Sequence, residues 1–218
     1  MLKKLMAEAI GTAFLLIGVV GSGIMADTLS PDNTGVALLA NAIATGCILY
    51  VIITLLGPIS GAHFNPAVSL AFVLRGELSV AHALLYIIVQ IAAGIVGVWI
   101  AHLMFDLTVL QTSTTLRTGA SQWVSEIVAT FGLLFVILGG LRHAPPAIPT
   151  LVAIYITGAY WFTSSTSFAN PAVTIARSLT DTFAGILPGN MPMFIVMQLI
   201  GAAIAVVVAR GLFSPDLD

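Results

Sequence analysis

Two short motifs of identical composition concentrate the polar chemistry of this chain. Residues 65–67 and 170–172 both read Asn-Pro-Ala, and the copies are 105 positions apart, close to half of the 218 residues. Asn is favoured at the N-cap of a helix, and Pro is favoured at its first position. Each motif therefore predicts a helix start, with the Asn65 or Asn170 amide beside the positive end of a helix dipole. Such amides can donate hydrogen bonds to a neutral solute, and the two dipoles repel cations.

The composition places these motifs in a membrane. Only 7% of the residues are Asp, Glu, Lys or Arg, and 59% are apolar, whereas a soluble domain has about 25% charged residues. This excludes a soluble enzyme, a disordered chain and a nucleic-acid-binding protein, which would need a basic face. The single cysteine, Cys47, excludes a disulfide framework. No pair of histidines has the spacing of metal ligands, so we expect neither a metal site nor a cofactor.

Six stretches are apolar and long enough to cross a bilayer, which takes about 20 residues. They are predicted near residues 5–25, 36–56, 80–104, 122–141, 148–165 and 191–211. Irregular sheet is excluded in lipid, so the spans are helices. Residues 1–218 are expected to form a single transmembrane domain without a soluble appendage.

The distribution of basic residues predicts the orientation of these spans. With the N-terminus inside, five of the seven Lys and Arg lie on the cytoplasmic side, as the positive-inside rule requires. These five are Lys3, Lys4, Arg75, Arg142 and Arg210. We therefore expect a multi-pass protein of the cell (inner) membrane with both termini in the cytoplasm.

The two halves of the chain, approximately residues 1–110 and 118–212, are predicted to be inverted repeats. Each half holds three spans, so the second half must enter the membrane from the opposite face. Sites in such repeats lie near the membrane midplane. The two Asn-Pro segments are too apolar for ordinary loops and too short to cross, so each is expected to be re-entrant and to carry a half-helix. The alternative is a pair of interfacial turns.

Four polar residues inside the spans follow the same repeat. Glu8 corresponds to Glu126, and Gln90 corresponds to Gln198. Carboxylates within a membrane are costly and are usually paired or functional. We expect each Glu to accept hydrogen bonds from backbone N–H groups of a re-entrant segment, and each Gln to satisfy the same segments; a proton relay is the alternative. His63, two residues before Asn65, is expected to line the cytoplasmic half of a pore.

These residues resemble the signature of the aquaporin, or major intrinsic protein, family. The resemblance rests on the paired boxes Asn65-Pro66-Ala67 and Asn170-Pro171-Ala172, the Glu and Gln pairs, and Ser-Gly-Ala-His-Phe at 60–64. It implies an all-α membrane protein with six transmembrane helices and two re-entrant half-helices. It also implies a pore in each subunit, a homotetramer in the lipid bilayer, and passive passage of small neutral solutes.

The selectivity filter departs from the usual pattern of the family. Its last position, three residues after the second box Asn, is normally arginine, and here it is Val173. The corresponding positions for the other three filter residues are Thr45, Gly158 and Ser167. This filter would have no large ring and no fixed charge, which resembles a bacterial subgroup associated with arsenic resistance.

Arg177 leaves two possibilities open at the outer mouth. It follows Val173 by one helical turn, about 6 Å further out. Side chains lean toward a helix N-terminus, so Arg177 either reaches back to the filter or lies in the outer vestibule.

The expected function is a passive channel that excludes protons and ions, and no enzymatic activity is expected. The expected solutes are water, glycerol-like polyols and trivalent metalloid hydroxides such as arsenous acid and methylated arsenicals. The alternatives are a strict water channel closed by Arg177, an ion-conducting channel, and an adhesive tetramer with a closed pore.

Overall fold

A computed structural model describes residues 1–213, and all regular structure in this part is helical. The α-helices are α1 (Leu2–Leu29), α2 (Thr34–Ser60), α3 (Pro66–Leu74), α4 (Val80–Met104), α5 (Ala120–His143), α6 (Ile148–Phe162), α7 (Pro171–Arg177) and α8 (Met191–Leu212). The long helices α1, α2, α4, α5 and α8 are sufficient in length and composition to cross a membrane. Helix α6 has 15 residues and is the sixth of the longer helices, which alternate along the chain with the two short helices α3 and α7 in the predicted order.

The sixth span, α6, is shorter than expected. The apolar pattern predicted a span over residues 148–165, but α6 ends at Phe162. It is preceded by a 3-10 turn at Pro145–Ala147. Residues 163–170 instead leave the helix and lead into α7, because they form the second re-entrant segment.

Both short helices begin at the asparagines that the motifs predicted. The Asn65 side chain accepts a hydrogen bond from the Ala67 N–H at 2.8 Å, so it caps α3. The Asn170 side chain accepts from the N–H groups of Ala172 and Val173 at 2.9 and 3.3 Å, so it caps α7. Each short helix packs against both α4 and α8.

Small residues allow the long helices to approach closely in each half. Helix α1 packs on α2 and α4, and α5 packs on α6 and α8. A Cβ atom added at Gly97 of α4 would lie 2.5 Å from the Ala13 carbonyl oxygen of α1. One added at Gly201 of α8 would lie 2.5 Å from the Ile127 carbonyl oxygen of α5. These helix pairs therefore depend on glycine for backbone contact, as is common in membranes.

The distribution of polarity is that of a membrane protein. Large apolar side chains such as Leu55, Leu103 and Val207 are exposed on the outside. Glu8 and Glu126 are completely buried inside. A water-soluble protein shows the opposite arrangement.

The bundle has two ends, which we name by their contents. The termini face holds the start of α1 and the end of α8, and the loop face holds the segments 105–119 and 178–190. On the loop face the two segments bind each other, for example through the Leu187 N–H and the Thr115 carbonyl at 2.7 Å. Asp181 accepts from the N–H and the hydroxyl of Thr114, and these bonds lower the pKa of its carboxyl group.

Candidate functional site

The two re-entrant segments have the same unusual backbone. Ala62 and Phe64 adopt φ values of 50° and 48°, and the residues 105 positions later, Ser167 and Ala169, adopt 51° and 46°. Left-handed conformations of non-glycine residues cost about 1–2 kcal/mol each, so other interactions must hold them in place. The repeat seen in the sequence is therefore reproduced in the conformation of individual residues.

Each segment is held by a buried carboxylate, as expected from the sequence. Glu8 accepts hydrogen bonds from the backbone N–H groups of His63 at 3.0 Å and Phe64 at 2.7 Å. Glu126 accepts from the backbone N–H groups of Phe168 at 3.0 Å and Ala169 at 2.9 Å. Charge-assisted bonds of this kind are stronger than neutral ones. These bonds fix the strained backbone of the re-entrant segments, so both carboxylates have a structural role.

The two glutamines bind the buried carboxylates and not the re-entrant backbone itself. The sequence suggested that they satisfy the re-entrant segments directly, but the structure shows no bond from them to that backbone among residues 1–213. Gln90 donates to the Glu8 carboxylate at 2.9 Å and to the Ser69 hydroxyl at 3.2 Å. Gln198 donates to the Glu126 carboxylate at 2.6 Å and to a hydroxyl in the first turn of α7 at 2.9 Å. Each glutamine therefore links its carboxylate to a half-helix.

The two box asparagines bind across the repeat. The Asn65 amide nitrogen donates to the Ala169 carbonyl at 2.7 Å, and the Asn170 amide nitrogen donates to the Phe64 carbonyl at 2.8 Å. An amide nitrogen carries two hydrogens, so one donor on each asparagine remains for a solute. The two half-helix N-termini thus meet at these amides, where their dipoles favour negative over positive charge.

One cavity of about 110 Å³ runs past both asparagines. Since one water needs about 10–15 Å³ by the same kind of measure, it has space for several small molecules. Its wall extends from Leu141 and Ile148 near the termini face to Arg177 near the loop face, with Asn65 and Asn170 between them. The cavity therefore extends toward both ends of the bundle and is the candidate pore.

His63 lies in the wall of this cavity, in the half toward the termini face. Its ring packs against Phe72 and Tyr86, with centroids 4.6 and 5.3 Å away. One ring nitrogen and the Ser69 hydroxyl are 3.1 Å apart. The imidazole is thus held by neighbours on three sides and turns its remaining edge to the cavity.

Three of the four expected filter residues line the cavity. They are Thr45, Ser167 and Val173. The Ser167 hydroxyl is buried and has no hydrogen-bond partner in the described part of the chain.

The fourth expected residue, Gly158, does not line the cavity, and this assignment is wrong. Gly158 is exposed on the opposite side of α6, in an outer groove with Cys47 and Ile154. Tyr160 occupies the cavity wall instead, and its hydroxyl is 3.2 Å from that of Thr45. Two residues turn a helix by about 200°, so an error of two positions reverses the face.

The residue spacing within α6 predicts that Tyr160 lines the cavity, although the spacing from the motifs did not. Ile148, Val152, Ile156 and Tyr160 are spaced by four residues and all line the cavity. Such spacing marks one face of a helix.

Arg177 is buried in the cavity wall and not free in a vestibule. Only 2% of its surface is exposed. Its guanidinium carbon lies 3.5 Å from the centroid of the Phe168 ring, and its Nε donates to the Ala184 carbonyl. With Tyr160, it shows that the outer part of the cavity does contain an aromatic ring and a fixed charge, contrary to the expectation from motif spacing.

Comparisons with known proteins agree with this architecture. Residues 1–164 match the family model described as Major intrinsic protein. The chain is 55% identical to aquaglyceroporin AqpS of Rhizobium meliloti (strain 1021) over 213 residues, which cover 98% of this chain and 91% of the relative. It is 32% identical to aquaporin TIP1-2 of Musa acuminata, with 97% and 87% covered.

A solved structure shares the fold. The aquaglyceroporin from Plasmodium falciparum superposes with a TM-score of 0.77, covering 98% of this chain and 97% of that chain. The sequences are only 17% identical, so this likeness concerns the fold alone.

Proposed function

The chain belongs to the major intrinsic protein family, whose members are membrane channels and not enzymes, and on that premise we propose that it is a passive channel for small uncharged solutes. We further propose that it conducts glycerol-sized polyols and neutral trivalent arsenic hydroxides as well as water, and that it excludes ions and protons. The observation that supports this most directly is the cavity that passes both box asparagines, with a wall that extends from near the termini face to near the loop face.

Solute recognition follows from the donors and acceptors in the wall. A polyol or arsenous acid carries several hydroxyl groups and loses its water shell in a narrow pore. Ser167 offers an unpaired hydroxyl, and Asn65 and Asn170 each offer one amide hydrogen. Replacing water bonds in this way lowers the cost of dehydration, which is high for an unpaired polar group. The wall opposite is apolar, which suits the carbon skeleton of a polyol.

The position of Val173 supports passage of the larger solutes. Val173 is short and uncharged, and it lies in the wall beside Ser167. The name of the relative AqpS, an aquaglyceroporin, also points to glycerol. Methylated arsenicals are included in this proposal because a methyl group fits an apolar wall.

Ion exclusion follows from charge. The helix dipoles at the two boxes and the Arg177 guanidinium all oppose cations. A bare ion would also have to cross apolar wall without its water, which costs far more than for a neutral solute.

The test is stopped-flow light scattering on proteoliposomes, with water, glycerol, urea and arsenous acid compared in one preparation. Fast entry of the larger solutes supports the proposal. Protein-free liposomes give the background, and a Gly57→Ala variant is a matched control because a Cβ atom added at Gly57 meets no other atom within 4 Å. Glycerol and arsenous acid entry at the background rate would overturn the proposed substrate range.

A strict water channel is the second candidate, and one observation favours it. Arg177 and Tyr160 both line the outer part of the cavity, where they reduce its width. Fast water flux with all larger solutes excluded would establish this candidate. Ionic conductance in planar bilayers separates both candidates from an ion channel.

We also propose a homotetramer in the inner membrane with both termini in the cytoplasm. The exposed groove formed by Ile43, Cys47, Tyr50 and Ile154 supports assembly, because it is an apolar recess that neighbouring side chains can fill. Native mass spectrometry of the purified protein tests the subunit number. Accessibility of a tag on each terminus in intact cells tests the orientation.

A further inference from the structure

Two arginines on the loop face share one aromatic ring. The guanidinium carbons of Arg177 and Arg117 lie 3.5 and 5.2 Å from the centroid of Phe168. Arg177 comes from α7, and Arg117 comes from the segment that precedes α5. Cation–π contact stabilises a guanidinium without neutralising its charge.

Backbone carbonyls of one turn hold both side chains. The Arg177 Nε donates to the Ala184 carbonyl. Arg117 donates through Nε to the Gly185 carbonyl at 2.8 Å and through Nη2 to the Phe183 carbonyl at 3.4 Å. These bonds fix the orientation of both guanidinium groups before any ligand arrives.

Neither arginine is paired with a carboxylate among residues 1–213. The ion pair found in this part of the chain is Arg75 with Glu77, on the other face. The terminal nitrogens Nη1 and Nη2 of Arg177 make no hydrogen bond to a described residue, although the side chain is 2% exposed and lines the cavity. A buried cation with free donors that face a cavity is a site for an anion, because buried charges require a partner.

A second unpaired donor belongs to the wall of the same cavity. The Ser167 hydroxyl is buried without a partner, and Thr45 and Tyr160 bring two further hydroxyl groups to the wall. Arginine binds oxyanions through two parallel N–H bonds, and hydroxyl groups can bind the remaining oxygens. Thr45 and Tyr160 share one hydrogen bond, so this pair has one hydroxyl hydrogen left to donate beside the donors of Arg177 and Ser167.

We propose that the outer end of the pore is a binding site for a small oxyanion of the phosphate type, and that the bound anion obstructs solute flux. This inference rests on the proposed channel function. The anion stays at the mouth because Val19, Leu49, Val152 and Ile156 provide no charge to replace its water further in. Arg177 is the principal ligand, and Arg117 adds positive charge from behind Phe168.

The experiment measures glycerol flux into proteoliposomes at increasing inorganic phosphate, with chloride at matched ionic strength and osmolarity as reference. Phosphate is expected to slow the flux saturably, and chloride is not. In Arg177→Gln, the phosphate concentration for half-inhibition is expected to rise about tenfold or more, the equivalent of one charge-assisted hydrogen bond. Arg142→Gln is the matched control, because Arg142 is exposed at the opposite face.

Arg117→Gln is the second variant, for the case in which Arg177→Gln does not fold. Since Arg117, unlike Arg177, does not line the cavity, we expect a smaller rise, about threefold, from the loss of one nearby charge. If glycerol flux is intact and phosphate slows it no more than chloride does, the proposed anion site is refuted. The proposed channel function is then unaffected.

A preparation without solute flux would instead refute the proposed channel function. In that case, phosphate binding is measured separately through the melting temperature. Phosphate should raise the melting temperature of the detergent-solubilised full-length protein, and Arg177→Gln should remove this rise. If phosphate does not change the melting temperature of the parent protein, the inference fails regardless of flux.

Discussion

Replacing Val173 by arginine tests whether residue 173 lies at the constriction of the proposed pore, and it adds a second arginine beside Arg177. Val173 and Arg177 lie one turn apart on α7, about 6 Å along the helix. Two positive charges at that separation repel each other by about 3 kcal/mol at an effective dielectric constant of about 20. Arg177 is held by Phe168 and the Ala184 carbonyl, so it cannot move away easily. The new side chain must therefore extend into the cavity.

The cavity has little space to accept it. Its volume is about 110 Å³ along its whole length, and Val173 borders its outer part together with Tyr160. We expect Val173→Arg to slow glycerol and arsenous acid at least about tenfold, which corresponds to a barrier higher by about 1.4 kcal/mol. Water is smaller and should be slowed less. The melting temperature should fall, because the repulsion is present in the folded state.

Stopped-flow scattering on the same proteoliposomes measures all three solutes. Val173→Leu adds bulk without charge and separates size from electrostatics. The double variant Val173→Arg with Arg177→Gln removes the repulsion and should regain melting temperature while the pore remains narrow. Unchanged glycerol and arsenous acid flux in a folded Val173→Arg protein would show that residue 173 is not at the constriction.

Three further changes test the packing, the lining and the loop face. Gly97→Ala should destabilise the protein by about 1–3 kcal/mol because it forces α1 and α4 apart. Gly57 has open space around it, so Gly57→Ala should stabilise the protein slightly. Thermal unfolding in detergent compares the two variants. Tyr160→Phe should change the ratio of glycerol to water flux because it frees the hydroxyl of its partner on α2, whereas Gly158→Ala should leave that ratio unchanged; equal effects would reverse the assignment of the two faces of α6. The carboxyl pKa of Asp181 is lowered in the folded state, so its contribution is present above the ordinary value of 3.8 and is lost as pH falls through the folded value. Proteolysis of the loop face should thus increase only at acidic pH, and Asp181→Asn should remove this dependence.

The positions of the half-helices and their supports were predictable because they depend on local chemistry. Asn followed by Pro starts a helix wherever the chain allows it, so Asn65 and Asn170 marked the N-caps directly. Glu8 and Glu126 were conspicuous because a carboxylate in an apolar span requires a partner. The repeat supplied the remaining inference, since each feature in one half had a counterpart in the other.

The outer part of the cavity was less predictable because it depends on helix rotation and on contacts between distant loops. Gly158 was assigned by ungapped spacing, and a shift of two positions was enough to exchange it for Tyr160. The surroundings of Arg177 depend on Phe168 and on the carbonyl of Ala184, seven residues further along. No local pattern in the sequence specifies that these groups meet.

The reciprocal asparagine bonds make each half of the chain depend on the other half. The Asn65 amide is satisfied by a carbonyl of the second half, and the Asn170 amide is satisfied by a carbonyl of the first. Neither half can complete its own centre, so halves expressed as separate chains should recover a working unit only together. Two copies of one ancestral half, related by a twofold axis in the membrane plane, would satisfy the same four groups by symmetry. In the single chain the two sides need not be identical, and the equivalent positions 64 and 169 are indeed Phe and Ala.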